Sequence, residues 1–255
     1  MFGSKSMTSA AAEKRNEELE LLLADANAAS ASARSSWIFL IALEAYFFIA
    51  LAGISHRDLL LNTPVAQPIL QVSVPLRSFI LFGPIVLLVM HAGVLQQHII
   101  LARKLRALDA GFAGLEFPAL SHPGRLRLHT YYFTQYVAGP ETSHVLRVAF
   151  LVMDWLFLRL LPIGLLLAFQ ITYLPAHDAD TTWWHRAYVL AGLLIVAASS
   201  ILLARLDSSL YPPRHPITPW AALRLFCAWL TAAAVAVFSL AVATIPGEWI
   251  DRVLG

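Results

Sequence analysis

The sequence predicts an all-α membrane protein, a polytopic helical bundle of about five transmembrane helices with its N-terminus in the cytoplasm. Of its 255 residues, 58% are hydrophobic and only 13% are charged, and the mean hydropathy is +0.67. A soluble domain carries about twice that share of charge, and here the charge is missing in blocks long enough to cross a bilayer. Lysine and arginine also divide unequally between the connections, thirteen on the predicted inner side against four on the outer side. This asymmetry orients the bundle.

The first 35 residues predict a cytoplasmic helix rather than a signal peptide, because they are polar and alanine-rich and lack an apolar core after a basic start. Leu19, Leu22, Leu23 and Ala26 recur at helical spacing on one face. Two interpretations stay open: a juxtamembrane helix for self-association, or a solvated stalk that leads into the first span. The transmembrane domain is predicted at residues 36–246, with a short tail at 247–255.

Five apolar segments predict the spans, at about 37–54, 79–102, 148–173, 187–204 and 221–245. The first begins at Trp37, an aromatic residue suited to the inner interface, and the second ends on a basic cluster that marks the cytoplasmic side. Pro162 is expected to kink the third span, since proline cannot donate the helical hydrogen bond. Five spans place the C-terminus outside.

Two connections have patterns of their own. In the loop 55–77, which contains three prolines, residues 70–76 alternate between apolar and polar positions. This period predicts an extended segment or a short hairpin folded onto the bundle. The stretch 125–138 mixes basic and aromatic residues, which predicts either an interfacial helix on the membrane or a soluble hairpin.

Ionisable residues within the spans form the sharpest candidate site, because such residues are costly in hydrocarbon and mark function by default. Helix rise places them in or near the cytoplasmic half of the bundle, where we expect a polar cluster of Glu44, His91, Asp154 and Arg159. Asp154 and Arg159 are five residues apart and therefore point about 140° away from each other on an α-helix. We expect cross-helix pairs instead, Arg159 with Glu44 and Asp154 with His91 or Arg147. Trp155 lies one turn before Arg159 and is placed to stack on it.

This intramembrane cluster has two interpretations. One is a proton- or ion-linked site in which His91 titrates. The other is a set of buried polar pairs that specify how the helices pack.

A second group lies at the predicted outer face and comprises His177, Asp178, Trp183, Trp184 and His185. Histidine and aspartate can bind a divalent ion, but the spacing matches no zinc motif. Tryptophan pairs are also ordinary interface anchors. We treat the group as a candidate binding surface and assign no metal to it.

Two stretches resemble the N-terminal membrane region of bacterial pentapeptide-repeat-containing proteins. They are HRDLLLNTPVAQPILQVSVPLRSFILFGPIVLLVMH, at 56–91, and YLPAHDADTTWWHR, at 173–186. The resemblance covers about residues 15–190 and implies a multi-pass protein of the bacterial inner (plasma) membrane, without supplying catalytic residues. No A(D/N)LXX-type repeats occur in this sequence, so the alternatives are a shorter relative or part of a longer chain.

The motif search excludes several function classes. The sequence has no P-loop, GxGxxG, GxSxG or HExxH motif, and its single cysteine, Cys227, leaves no cysteine-based metal motif. We therefore predict no enzymatic activity, no cofactor and no nucleic-acid partner. The expected partners are membrane lipids, a second copy of the chain or another membrane protein. The predicted function is a non-enzymatic membrane module for anchoring, oligomerisation or sensing. The alternative is a small ion- or proton-conducting protein that uses the intramembrane cluster.

Overall fold

The computed structural model describes residues 3–67, 72–112, 123–139, 144–210 and 219–242, and it confirms the all-α fold class. Four helical segments are long and apolar enough to cross a membrane: Glu13–Ala52, Leu76–Phe112, Val148–Ala176 and Ala179–Leu203. They coincide with the first four predicted spans. The fifth predicted span falls on a helix whose apolar part, Cys227–Ala241, is shorter than these four segments. The predicted tail, 247–255, lies outside the described residues.

The first helix, α1, runs unbroken from Gly3 to Ala52. After Gly3 this stretch contains neither proline nor glycine and is rich in alanine and leucine, which are strong helix formers. Its 50 residues span roughly 75 Å. The predicted boundary at residue 35 is therefore not a break in the helix, because the predicted cytoplasmic helix and the first span are one rod.

The loop that follows α1 is ordered by local hydrogen bonds. Helix α2, His56–Leu61, begins with a capping box in which Ser55 and Asp58 bond each other's backbone N–H groups. It ends on Asn62, which adopts the left-handed conformation. Strands β1, Val65–Gln67, and β2, Val72–Val74, then pair antiparallel, with Val65 opposite Val74. This confirms the short hairpin that the alternating pattern predicts.

Helix α3, Leu76–Phe112, is longer than the predicted second span and contains Pro84. A 3₁₀ turn at Pro123–Arg127 and the short helix α4, Tyr132–Ala138, follow it. The third span consists of α5, His144–Trp155, a π-helical turn at Leu156–Leu160, and α6, Leu161–Tyr173.

Helix α7 is joined to the third span by a tight connection. A 3₁₀ turn at Leu174–Ala176 leads into α7, Ala179–Leu210, which begins eight residues before the predicted fourth span. Helix α8, Pro219–Ala241, completes the described chain. Glycine lets α7 approach α6 closely, because a Cβ at Gly192 would lie 2.7 Å from the Leu166 side chain.

Buried apolar residues form two cores. The membrane core joins α1, α3, α6 and α7 through residues that include Leu40, Phe47, Ile80, Leu87, Leu158, Leu166, Phe169 and Val189. Large apolar side chains on the outside of the same helices, such as Phe48, Val89 and Leu194, stay exposed. Exposed apolar faces of this kind suit lipid contact.

The second core lies beyond the predicted inner end of the spans, and we call it the inner tier. It packs the N-terminal half of α1 against the C-terminal half of α3 and against α4, through Leu23, Ala26, Leu101, Leu105, Tyr132 and Phe133. The apolar face of α1 that predicted either self-association or a solvated stalk is thus buried within the chain. The stretch 125–138 folds as part of this tier rather than as a free interfacial helix.

Polar contacts close the inner tier around its apolar core. Glu20 and Asp25 of α1 pair with Arg127 and Lys104, respectively. Arg125, almost fully buried, pairs with Asp109 and donates to the Ala138 carbonyl at 2.6 Å. Buried charge is tolerated only when it is paired in this way.

Candidate functional site

In the membrane core, a proline within an α-helix leaves a backbone carbonyl without its helical donor, and a histidine of another helix bonds that carbonyl. Pro84 has no N–H, so the Ile80 carbonyl four residues earlier lacks its helical donor. His185 of α7 donates to that carbonyl through Nε2 at 3.0 Å. A backbone group without a partner inside the membrane costs several kcal/mol, so this contact both closes α3 and ties it to α7.

A related contact is made in the third span. Pro162 has no N–H to donate at the end of the π-helical turn, and His91 of α3 donates to the Leu158 carbonyl, four residues before this proline, through Nε2 at 2.8 Å. Both histidines are buried, and neither Nδ1 atom has a hydrogen-bond partner among the described residues. Because a carbonyl only accepts, each imidazole is fixed as the Nε2–H tautomer.

The π-helical turn corrects one prediction about the cluster. Asp154 and Arg159 form an ion pair at 3.4 Å, although an α-helix would turn them apart. The chain winds as a π-helix over Leu156–Leu160, and its i→i+5 hydrogen bonding brings residues five apart onto one face. The predicted pairs of Arg159 with Glu44 and of Asp154 with His91 are therefore wrong, and the side chain of Arg147, the other predicted partner of Asp154, lies outside the described part of the chain. The predicted stacking of Arg159 on Trp155 is confirmed, at 4.9 Å from the ring centroid.

Glu44 lies apart from the other members of the predicted cluster. Its side chain is fully buried in the membrane core, and neither carboxylate oxygen has a hydrogen-bond partner among the described residues. Phe47, three residues later, packs against Phe79 at the start of α3, with 5.9 Å between ring centroids. Since α1 and α3 are antiparallel, Glu44 lies about two helical turns, or roughly 10 Å, from His91 along the helix axis.

A third histidine marks the junction between the membrane core and the inner tier. His98 donates from Nδ1 to the Val94 carbonyl at 2.8 Å, and its Nε2 accepts from the Tyr131 hydroxyl at 2.8 Å. Tyr131 also packs edge-on against Trp37, the predicted interface residue of the first span. Both ring nitrogens of His98 are thus occupied. The contact joins α3 to the segment that leads into α4.

The five residues predicted at the outer face divide into three environments. His177 and Asp178 line a pocket, where Asp178 pairs with Arg77 at 3.0 Å. Trp183 and Trp184 are exposed on α7, as interface anchors would be. His185 is buried and bonds the α3 backbone as described above.

No metal-binding arrangement emerges at this face. Among the residues that the structure describes, no group of three or more His, Cys, Asp or Glu side chains is placed to hold an ion. The five residues therefore do not act together as one ligand set.

The signal that the sequence reasoning missed is the spacing of proline. Pro84 identifies, four residues earlier, a carbonyl that needs a donor in the membrane, and Pro162 marks a second interruption of helical bonding close to the Leu158 carbonyl. His91 was predicted as a titrating group and His185 as part of an outer binding surface, whereas the structure uses both as donors to backbone carbonyls. The prolines indicate in advance where a donor is needed, but only the packing shows which histidine supplies it.

Comparison with known proteins adds no functional information. No family model, curated protein or solved structure matches the chain. The resemblance to the membrane region of pentapeptide-repeat proteins stays a prediction, and function has to be argued from the geometry.

Proposed function

We propose that this protein is a non-enzymatic integral membrane module, a scaffold that holds the inner tier against one face of the membrane for anchoring, oligomerisation or sensing. The observation that carries the proposal is the use of His91 and His185 as donors to the backbone carbonyls of Leu158 and Ile80. Both side chains serve the backbone of a neighbouring helix. This is the packing interpretation of the intramembrane polar residues.

The geometry of these contacts also argues against a proton relay through the two histidines. A relay needs a continuous series of donors and acceptors, and the Nδ1 atoms of both rings have no hydrogen-bond partner among the described residues. His98, the third buried histidine, is occupied at both nitrogens by Val94 and Tyr131. The unbroken course of α1 and α3 from the membrane core into the inner tier supports a rigid scaffold as well.

The scaffold proposal is tested by separating the donor function of His91 from its ability to titrate. Glutamine can donate from a similar position but does not ionise, whereas leucine does neither. We expect His91→Gln to keep the folded yield and thermal stability near those of wild type, and His91→Leu to lower both. Loss of folded protein in the glutamine variant as large as in the leucine variant would contradict the proposal.

The proposed location is the bacterial inner membrane, with the inner tier in the cytoplasm. The supporting observations are the thirteen-to-four asymmetry of lysine and arginine and the resemblance of the membrane region. A C-terminal reporter that is active only in the cytoplasm should stay inactive if the bundle has five spans. An active reporter would refute that topology.

One observation favours a second candidate function, proton or ion conduction. Glu44 is fully buried without a hydrogen-bond partner among the described residues, and an intramembrane carboxylate of this kind is a functional candidate by default. Proteoliposomes with an imposed pH gradient distinguish the two functions. Conduction predicts wild-type flux that Glu44→Gln abolishes at equal folded yield, whereas the scaffold predicts no flux above that of empty liposomes.

A further inference from the structure

A pocket of about 580 Å³ opens at the predicted outer end of the bundle. Its size falls in the range of small-molecule sites. Three separate parts of the chain form it, namely α2, the start of α3 and the 3₁₀ turn after α6, through residues that include His56, Leu59, Asn62, Leu76, Arg77 and His177. Leu59 and Leu76 supply an apolar wall, and the other four supply polar groups.

Two residues of this pocket have left-handed backbone. Asn62 and His177 have φ angles of 49° and 52°, and they are the non-glycine residues with positive φ in the described chain. Asn62 ends α2 and His177 ends the 3₁₀ turn after α6, a position at which left-handed residues are common. These two chain reversals shape the pocket that both residues line.

The acidic residue of the pocket already has partners. Asp178 accepts from Arg77 at 3.0 Å, from the Tyr173 hydroxyl at 3.3 Å, and from both the backbone N–H and the hydroxyl of Thr181, at 3.3 and 2.8 Å. Burial alone would raise the pKa of Asp178, but the hydrogen bonds from Thr181 and the charge of Arg77 lower it below its usual range. Its carboxylate oxygens are thus hydrogen-bonded within the protein.

The groups that remain on Arg77 and Asn62 are donors. The Arg77 side chain is 69% exposed and donates to Asp178 from one nitrogen, so most of its N–H groups can reach a ligand. Asn62 accepts the Arg77 backbone N–H through Oδ1 at 2.9 Å, which leaves its amide nitrogen as a donor. His177 donates from Nδ1 to the Pro175 carbonyl at 2.8 Å, which leaves Nε2 of the neutral ring as an acceptor, so we assign it no contact with an anion.

Apolar surface lies directly beside these donors. Leu59 and Leu76 line the pocket, and Leu60, which also lines it, is 85% exposed at the rim. The guanidinium group of arginine presents a planar fork of donors and is the usual partner of carboxylate and phosphate groups. A site that combines it with an apolar wall at a membrane surface suits a ligand with one anionic group and one apolar chain.

We propose that the pocket between α2, α3 and the α6–α7 connection binds an amphiphilic anion, with its phosphate or carboxylate on Arg77 and Asn62 and its chain along Leu59 and Leu60. The site rests on its own geometry, so its failure would leave the scaffold proposal intact. The shared chemistry is an anionic head group, and it can come from a membrane lipid or from a soluble anion.

The experiment measures binding to the full chain in phosphatidylcholine nanodiscs by native mass spectrometry. The probes are dodecyl phosphate, dodecanol as the neutral analogue, and inorganic phosphate as the head group alone. We expect saturable binding of dodecyl phosphate that is at least tenfold tighter than that of either control. Equal binding of dodecanol would overturn the role of the anion, and equal binding of inorganic phosphate would overturn the role of the chain.

Variants assign the binding to this pocket. Arg77→Gln should weaken dodecyl phosphate binding by roughly tenfold or more, the effect of losing a hydrogen bond to a charged group. Arg57→Gln removes the same charge from the same end of the bundle at a residue that does not line the pocket, and it should leave binding unchanged. Asn62→Gly keeps the left-handed backbone available while removing the amide donor, and it should weaken binding as well. Equal effects of the two arginine variants, or no effect of Arg77→Gln, would overturn the proposal.

Discussion

Replacing Pro84 with alanine should make the hydrogen bond from His185 dispensable. Alanine restores an N–H at position 84 that can bond the Ile80 carbonyl within α3, so the carbonyl no longer needs the imidazole of α7. The matching perturbation is His185→Phe, which removes the donor but keeps an aromatic ring. The ring contacts of residue 185 with Tyr173 and Tyr188, at 5.8 and 6.2 Å between centroids, are then largely retained.

The magnitude follows from the burial of the carbonyl. Ile80 is fully buried, so His185→Phe leaves an unsatisfied acceptor, which costs about 1–3 kcal/mol of the free energy of unfolding. In the Pro84→Ala background the acceptor is satisfied within the helix, and the same substitution should cost much less. The coupling energy between the two sites is therefore expected to be about 1–2 kcal/mol.

The assay is a double-mutant cycle on the purified chain, with unfolding in mixed micelles followed by circular dichroism. The cycle cancels the loss of packing that is common to both histidine substitutions. If the two changes are additive within about 0.5 kcal/mol, His185 does not act through the carbonyl that Pro84 frees. The reasoning that connects proline to histidine in this bundle would then be refuted.

Three further predictions follow from single contacts. Asp178→Asn should destabilise the chain at neutral pH, and because the folded pKa of Asp178 is lowered, the difference from wild type should disappear as pH falls below about 4, measured by thermal unfolding across pH. Gly83→Ala places a Cβ 2.8 Å from the Phe169 ring and should lower the free energy of unfolding by about 1–3 kcal/mol. In the control variant, Gly93→Ala, the new Cβ meets nothing within 4 Å, so this change should be neutral or stabilising. Equal effects of the two substitutions would contradict the packing. Ser30→Leu forces a large side chain into a fully buried site of the inner tier. Hydrogen exchange of the backbone amides should become faster in α4, while the amides of the membrane core stay protected. Uniform protection would contradict the packing of α4 in the inner tier.

The sequence was sufficient for the fold class and for the elements that depend on local composition. The apolar segments predict the four long helices because their length and lack of charge leave few alternatives. The period-2 pattern over residues 70–76 predicts an extended segment or a short hairpin because alternation is typical of strands, whereas its pairing partner, Val65–Gln67, was not predicted. The extended conformation and the long helices are set by neighbouring residues and do not depend on tertiary contacts.

The inner tier could not be predicted in the same way. The face of α1 that contains Leu19 and Leu22 is apolar, but its partner, Gly111, lies at the far end of α3, beyond the predicted span. A sequence pattern shows that a face will be buried without showing against what. The alternatives of a self-association surface and a solvated stalk both failed for this reason.

The candidate site was predicted in its residues but not in its arrangement. The expectation that Asp154 and Arg159 diverge assumes α-helical geometry, and the π-helical turn between them changes that geometry. Glu44 was assigned a depth from the end of its span, but the packing of Phe47 on Phe79 places it away from His91. Depth counted along separate helices does not fix the register between them.

The central claim is that His91 and His185 act as neutral Nε2–H donors to the backbone carbonyls of Leu158 and Ile80. Nitrogen-15 spectroscopy of the imidazole side chains in lipid bilayers tests this claim most directly, with His91→Gln and His185→Phe samples to assign the signals. We predict that both rings show the Nε2–H tautomer at neutral pH, with Nδ1 unprotonated. An Nδ1–H tautomer or an imidazolium at either residue would contradict the account.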